Sequence, residues 1–156
     1  MRIVHKNSIY FAAPLFSAAE KQFNDELTQK LESLGFRVFL PQRDGMEFAK
    51  AQALPPHERS RRIFELDVRM VEESDIIIAV LDGRVPDEGV CVELAIASEY
   101  KRITKKQKWI LGLKTDTRTL LQDADLNPMI AGGLDLVFSS VTDLLGHIEY
   151  ELVLVE

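Results

Sequence analysis

The chain has 156 residues, of which 46% are apolar and 28% are charged, and its formal net charge is −6. This length and composition predict one globular domain spanning residues 1–156. The acidic balance argues against a protein built mainly to bind a nucleic-acid backbone, and the single cysteine, Cys91, excludes a disulfide within the chain and a cysteine-based zinc site.

The first half of the chain alternates short strands with helical segments. Residues 8–12 are apolar without a helical period and predict a strand. Ser17 and Glu20 have the spacing of a capping box, and the apolar stripe after them predicts a helix that Gly35 ends. The remaining predictions in this half are a strand over 36–40, a long loop or broken helix over 42–56, and a helix over 61–73.

The second half contains the clearest strand of the sequence. Residues 75–81 are apolar at nearly every position, as is typical of a central strand in a parallel sheet. A loop over 82–89 and an apolar helix carrying Glu93 follow it. Further strands are predicted over 109–113 and 136–138, with a loop and short helical turn over 115–131 between them and a final helix over 142–154.

This alternation predicts an α/β fold with a parallel sheet, helices on both faces and right-handed crossovers. Ligands bind such sheets at the carboxyl ends of the strands. The segments 10–16, 42–44 and 82–93 meet at that edge, which is acidic. Because the glycine-rich motifs that bind phosphate are absent from the sequence, we expect no dinucleotide or ATP site.

Neither a membrane protein nor a metal site is expected. No apolar run approaches the roughly 20 residues of a membrane-spanning helix, and the N-terminus lacks the apolar core of a signal peptide. We therefore expect a cytoplasmic protein that does not bind membranes. The histidines His5, His57 and His147 do not have the spacing of metal ligands.

Glu93 is the principal candidate for a functional residue. It lies in the apolar run 90–97, which predicts a helix buried on nearly every side. An ionised carboxylate is costly to desolvate there unless a partner satisfies it. The alternative is that Glu93 turns to solvent near the start of the helix, where the helix dipole favours negative charge. The pattern by itself leaves both interpretations open.

Three other side chains are candidates for the same pocket. Asp87 lies six residues before Glu93, and paired carboxylates suit glycosyl transfer, one as nucleophile and the other in protonation of the leaving group. The alternative for Asp87 is an acidic loop before a helix. Asp67 is otherwise an exposed or ion-paired position on its helix, and Tyr10 is otherwise a core residue, although its hydroxyl at a strand end can reach a nucleophile.

Several segments, taken in order, resemble the nucleoside 2-deoxyribosyltransferase family: residues 9–16, 40–45, 67, 76–83, 87–93 and 127–129. The resemblance covers nearly the whole chain. It implies a flavodoxin-like domain that cleaves the N-glycosidic bond of a 2′-deoxynucleoside and passes the sugar to another base. The implied partners are a deoxynucleoside donor and a free nucleobase acceptor, with no nucleic acid polymer and no cofactor.

The resemblance also implies roles for individual residues. Glu93 matches the nucleophile that attacks C1′ of the sugar and forms a covalent deoxyribosyl enzyme, and Tyr10 matches a tyrosine hydrogen-bonded to it. Asp67 and Asp87 match acids that contact the base and assist its protonation. Asn127 matches an asparagine that reaches the nucleophile from a neighbouring subunit, which implies a homo-oligomer. The substrate-binding residues implied in this way are Phe16, Gln42, Asp82, Gly89, Asn127 and Met129.

Two other functions remain open from the sequence. A hydrolase of the same superfamily would use the same glutamate to cleave deoxynucleosides or their 5′-monophosphates. Relatives that act on monophosphates carry serine and arginine after the first strand, where this chain has Ala12-Ala13-Pro14-Leu15, which favours a nucleoside. The other alternative is a non-catalytic signalling or ligand-binding module with a flavodoxin-like fold. The first strand lacks the acidic pair of a receiver domain, although Asp82 does follow a strand.

Overall fold

The computed structural model describes residues 7–46, 52–118 and 126–153. The strands are β1 (Ser8–Ala12), β2 (Arg37–Phe39), β3 (Ile76–Val80), β4 (Trp109–Leu113) and β5 (Leu136–Phe138). The helices are α1 (Ala18–Ser33), α2 (Pro41–Asp44), α3 (Pro56–Glu73), α4 (Glu88–Thr104), α5 (Pro128–Ala131) and α6 (Val141–Ile148), and α6 continues into a π-helical turn, Glu149–Val153.

The strands of the described residues form one parallel sheet in the order β2-β1-β3-β4-β5. The register places Tyr10 of β1 between Phe39 of β2 and Ile77 of β3. The chain moves outward from β1 to β2 and then crosses back to β3 on the other side of β1. The order of the strands therefore reverses between β1 and β3, which is where sheets of this kind bind ligands.

Helices cover both faces of the sheet, because successive side chains of a strand point to opposite sides. Ile9 and Phe11 of β1 belong to the apolar layer under α1 and α6, whereas Tyr10 and Ala12 belong to the layer under α3 and α4. The α/β fold with a five-stranded parallel sheet and helices on both faces, predicted from the sequence, is confirmed. Tyr10 consequently faces the side chains of α3 and α4.

Local capping explains where the helices begin. At α1, Ser17 Oγ accepts a hydrogen bond from the Glu20 amide at 3.2 Å and Glu20 Oε2 accepts one from the Ser17 amide at 2.7 Å, which confirms the predicted capping box. Gly35 has φ of +95° just beyond the end of α1, as predicted from its glycine. Helix α3 begins at Pro56 rather than at residue 61, because proline fits the first turn of a helix.

Three segments differ from the prediction or were left open. After β2 the chain forms the short helix α2, so the broken-helix alternative holds at its start, while residues 47–51 lie outside the described residues. The predicted turn over 115–131 contains α5, and residues 119–125 are likewise outside the description. The last helix changes to π-helical geometry after Ile148. None of the described helices is long and apolar enough to cross a membrane.

Candidate active site

Asp87 sets the start of the helix that carries Glu93. Its Oδ1 accepts hydrogen bonds from the amides of Gly89 at 2.9 Å and Val90 at 3.2 Å, so it is the N-cap of α4. A Cβ at Gly89 would lie 3.1 Å from this oxygen, and the glycine therefore lets the cap approach closely. Val90 and Leu94 are buried against the sheet, which brings Glu93 over β1.

Tyr10 and Glu93 are joined directly. The Tyr10 hydroxyl donates a hydrogen bond of 2.6 Å to Glu93 Oε1. Tyr10 is fully buried, and its ring stacks on Phe39 with centroids 5.6 Å apart and an angle of 18° between the rings. Burial and the neighbouring charge of Glu93 raise the pKa of Tyr10 above its ordinary range. Tyr10 is therefore a neutral phenol that donates to the carboxylate.

Burial raises the pKa of Glu93 from its ordinary value of 4.5 to about 7. The hydrogen bond from Tyr10 lowers this pKa in part, while the charges of Asp67 and Asp87 raise it further. Glu93 is partly buried, and its carboxylate is bonded to Tyr10 instead of turning to solvent. At neutral pH the group therefore exchanges between its protonated and ionised forms.

The prediction that the Glu93 helix is buried on nearly every side is wrong. Val90, Leu94 and Ala97 are buried, but Val92 is 51% exposed and Ala95 is exposed as well. The reason is that α4 packs on the sheet with one face only, and nothing in the described part of the chain covers its outer face. Glu93 lies at the boundary of the buried face, where its carboxylate can meet a substrate.

Asp67 of α3 lies within electrostatic range of both residues, since its charge raises the pKa of Glu93 and of Tyr10. Its own pKa rises to about 6 because it is partly buried. None of the ion pairs formed by the described residues includes Asp67, so the ion-paired alternative does not hold in the described part of the chain. The carboxyl group of Asp67 can thus carry a proton close to neutral pH, beside Glu93.

The other expected substrate-binding residues divide into exposed and internally bonded groups. Phe16 is 77% exposed and Met129 is 85% exposed. Asn127 is exposed and caps α5, its Oδ1 accepting from the Met129 amide at 2.9 Å. No hydrogen bond among the described residues joins Asn127 to Glu93 of the same chain. These three side chains are free to meet a ligand or a second subunit.

Gln42 and Asp82 are bonded within the protein. The amide of Gln42 accepts from Asn24 at 2.9 Å and donates to the Lys21 carbonyl at 3.0 Å and to Asp25 at 2.8 Å, so it faces α1. Both carboxylate oxygens of Asp82 accept hydrogen bonds from the segment after β4. No hydrogen bond among the described residues joins either side chain to Glu93.

Two residues that support the site were not predicted from the sequence. Phe39 supports the ring of Tyr10, and the only signal for it was its place at the end of the second strand. Asn24 is 2% exposed and donates to the Pro14 carbonyl and to Gln42, which fixes the segment after β1. Its signal was a polar residue within the apolar stripe of α1. Among the described residues, no cluster of His, Cys, Asp and Glu could hold a metal ion.

Comparison with known proteins gives one family. The family model described as nucleoside 2-deoxyribosyltransferase matches residues 9–145. A conserved protein from Enterococcus faecalis V583 has a similar structure, with 28% identity, a TM-score of 0.77 and coverage of 94% of this chain and 99% of that one. A sequence comparison with curated proteins gives no significant match.

Two more distant structures share the fold. A 2-deoxyribosyltransferase from Bacillus psychrosaccharolyticus matches with 21% identity and a TM-score of 0.69, over 88% of this chain and 90% of that one. A CMP N-glycosidase from Clostridium botulinum matches with 17% identity and a TM-score of 0.54, over 94% of this chain and 100% of that one. At these identities the likeness shows a common fold.

Proposed function

Because the chain belongs to the nucleoside 2-deoxyribosyltransferase family, we propose that it transfers 2-deoxyribose between the bases of 2′-deoxynucleosides through a covalent glycosyl bond to Glu93. The family match supports a nucleoside-modifying enzyme of the deoxyribosyltransferase or N-glycosidase type. The observation that carries the finer proposal is the partly buried Glu93 carboxylate, hydrogen-bonded to Tyr10 beside the second carboxyl group of Asp67.

The proposed first step is attack of ionised Glu93 on C1′ of the bound nucleoside. A bond forms between the carboxylate oxygen and C1′, the bond between C1′ and the base nitrogen breaks, and its electron pair leaves with the base. Protonation of the base stabilises that departure. Asp67, whose pKa is about 6, is the proposed proton donor. Attack of a second base nitrogen on C1′ then breaks the bond to Glu93, and the N–H proton of that base passes to the ionised Asp67, which restores both carboxyl groups.

Tyr10 is proposed to hold the nucleophile in its reactive form and direction. Its hydroxyl occupies Oε1 of Glu93, which leaves Oε2 to face the sugar. The hydrogen bond favours the ionised carboxylate and so opposes the effect of burial on the Glu93 pKa. Asp87 is proposed to contact the base, since its Oδ1 is used by the helix cap and its Oδ2 has no hydrogen bond within the described residues.

A nucleoside is the proposed substrate rather than a nucleotide. Ala12 and Ala13 at the end of β1 are buried and carry no side-chain donor for a phosphate. The carbonyl of Pro14, next in the chain, accepts from Asn24 and presents negative charge density. Ala12, Ala13 and Pro14 thus offer no side-chain donor to a 5′-phosphate.

The proposed assembly is a homo-oligomer in which Asn127 reaches the active site of a neighbouring subunit. Asn127 and Met129 are exposed at the start of α5, and no hydrogen bond among the described residues joins Asn127 to its own Glu93. Among the described residues the Nδ2 group of Asn127 donates no hydrogen bond, because the helix cap uses only Oδ1. Such a donor suits a carboxylate nucleophile in the adjacent subunit.

Incubation with deoxyinosine, with and without adenine, tests the reaction. Transfer predicts deoxyadenosine that forms only when adenine is present, and mass spectrometry of the protein with donor alone should detect a deoxyribosyl adduct on Glu93. Release of free deoxyribose at a rate indifferent to adenine would instead assign a hydrolase. Absence of cleavage with all deoxynucleosides and deoxynucleotides would rule out both enzymes in favour of a non-catalytic module.

A further inference from the structure

The carboxylate of Asp82 bonds to the segment that follows β4. Its Oδ1 accepts from the amides of Thr115 at 2.6 Å and Asp116 at 2.8 Å, and its Oδ2 accepts from the Thr115 hydroxyl at 2.6 Å. Asp82 lies two residues after the end of β3, at the carboxyl edge of the sheet. Three hydrogen bonds therefore tie the ends of two adjacent strands together at the edge that carries the site.

The side chain of Asp116, in the segment after β4, in turn accepts a hydrogen bond from the segment after β3. Its Oδ2 accepts from the Gly83 amide at 3.0 Å and also pairs with the guanidinium of Arg118. This ion pair lowers the pKa of Asp116, so the acceptor is ionised at neutral pH. Asp82 and Asp116 thus each bind backbone of the other's segment. We call this reciprocal arrangement of Asp82, Gly83, Thr115 and Asp116 the clasp.

The clasp lies at the start of the segment that leads from β3 to Glu93. Gly83 has φ of +113°, a conformation that favours glycine, and a Cβ there would lie 3.0 Å from the Val85 carbonyl oxygen. From this turn the chain runs to Asp87, which caps α4. The segment between β3 and α4 is therefore held at one end by the clasp and at the other by the helix cap.

We propose that Asp82 is a positioning residue of the active site: through the clasp it holds the segment that delivers Asp87 and Glu93 to Tyr10, and it does not bind substrate. This replaces the substrate contact that the sequence resemblance implied for Asp82. The inference rests on the proposed function, because it assigns how the nucleophile of that reaction is held. A misplacement of a reacting group by about 1 Å can cost 10²-fold in rate.

The variants Asp82→Ala and Asp82→Asn separate positioning from substrate binding. Alanine removes all three bonds, whereas asparagine retains an oxygen for the two amides and offers an NH₂ to the Thr115 hydroxyl, which can accept. We expect Asp82→Ala to lower kcat by about 10- to 100-fold with KM within about twofold of wild type. Asp82→Asn should remain within about threefold of wild type in both constants.

Asp75→Ala is the matched control. Asp75 Oδ2 accepts from the Ser8 amide at 2.8 Å and the Ser8 hydroxyl at 2.9 Å, the same kind of bonding at the amino ends of β1 and β3. Its loss should lower the melting temperature without a change in the titration of Glu93. The pKa of Glu93 is measured by carbon NMR of its carboxyl group in wild type, Asp82→Ala and Asp75→Ala. This measurement complements the kinetics and requires no substrate.

The proposal is supported if the pKa of Glu93 changes in Asp82→Ala but not in Asp75→Ala, and if kcat and KM of Asp82→Asn stay close to those of wild type. Equal losses in both Asp82 variants with a raised KM would make Asp82 a substrate ligand and overturn it, as would an unchanged kcat and titration in Asp82→Ala. If Asp82→Ala does not fold, Thr115→Val removes one bond of the clasp and should give a smaller loss of kcat. If the wild-type protein cleaves no nucleoside, the proposed function is refuted. The NMR comparison then tests by itself whether the clasp positions Glu93.

Discussion

The Tyr10 hydroxyl lies 2.6 Å from Oε1 of Glu93, although the two residues are separated by 83 positions in the sequence. One belongs to a central strand of the sheet and the other to the helix packed over it. Their hydrogen bond opposes the effect of burial on the pKa of Glu93. The bond therefore couples the packing of the core to the charge of the proposed nucleophile.

Tyr10→Phe should weaken the enzyme most at low pH. The hydrogen bond lowers the pKa of Glu93, so its removal raises that pKa and reduces the ionised fraction at pH 7. Hydrogen bonds to charged groups contribute about 1.5–3 kcal/mol, which corresponds to a loss of roughly 10- to 100-fold in kcat/KM. The loss should diminish as the pH rises above the pKa of Glu93. Tyr100→Phe, on the outer part of α4, is the control, and a loss of the same size at every pH in Tyr10→Phe would contradict the coupling.

Glu93→Gln should abolish transfer while stabilising the fold. Loss of the nucleophile is expected to lower kcat by at least about 10³-fold. The folded-state pKa of Glu93 is about 7 against an ordinary 4.5, so stability is present below pH 4.5 and is lost as pH rises to about 7. The glutamine variant escapes this loss and should gain about 1 to 3 kcal/mol at pH 8.

Chemical denaturation of wild type and Glu93→Gln at pH 4.5 and pH 8 measures the gain, which should be present only at the higher pH. Glu99→Gln is the matched control, because Glu99 lies on the same helix but is exposed and paired with Arg102. Transfer by Glu93→Gln at the wild-type rate would remove the basis of the proposed mechanism.

Asp67→Asn should lower the rate and change the shape of the pH profile. Loss of a positioned proton donor is expected to lower kcat by about 10²- to 10⁴-fold. The charge of Asp67 raises the pKa of Glu93, so the residual activity should have an acidic limb below about pH 7, set by Glu93 alone, and no basic limb from Asp67. Glu65→Gln serves as the control, since Glu65 is an exposed residue of α3 paired with Arg61. A wild-type rate in Asp67→Asn would exclude the residue as the acid.

The pH profile of wild-type kcat/KM is expected to have its maximum between about pH 6 and pH 7. Glu93 must be ionised to attack C1′, and its pKa in the free protein is about 7. Asp67, with a pKa of about 6, must be protonated at the same time, so kcat/KM should fall by about tenfold for each pH unit below about pH 6 and above about pH 7. A profile measured from pH 4 to pH 9 in buffers of constant ionic strength checks the position. A limb near pH 4.5 would show that Glu93 behaves as an exposed carboxylate.

Asn127 can be tested by mixing subunits. Asn127→Ser keeps an acceptor for the Met129 amide and loses the Nδ2 donors, so α5 remains capped. Homo-oligomers of Asn127→Ser and of Glu93→Ala should each be inactive or nearly so. If Asn127 acts on the neighbouring subunit, unfolding and reassembling the two together should restore part of the activity, because some sites then receive both intact residues. No recovery in mixed oligomers would place Asn127 outside the partner site.

The strands and the first helix could be predicted from local sequence. Residues 8–12, 109–113 and 136–138 carry strand signals within their own length, and the observed strands have those limits. The capping box at Ser17 depends on residues three apart. The start of α3 was misplaced because Pro56 followed a segment of mixed composition. The exposed face of α4 was missed because an apolar run shows hydrophobicity and does not show how much surface its neighbours can cover.

The sequence by itself determined the succession of strands and helices along the chain and the acidic residues expected at the carboxyl edge of the sheet. It also carried the resemblance that points to Glu93. These features depend on neighbouring residues or on the order of motifs along the chain. Only the tertiary structure decided which side chains meet. The bond between Tyr10 and Glu93, the engagement of Gln42 by Asn24 and the use of Asp82 by the clasp all join distant segments. The raised pKa of Glu93 belongs to the same category, since burial and neighbouring charges exist only once the chain has folded.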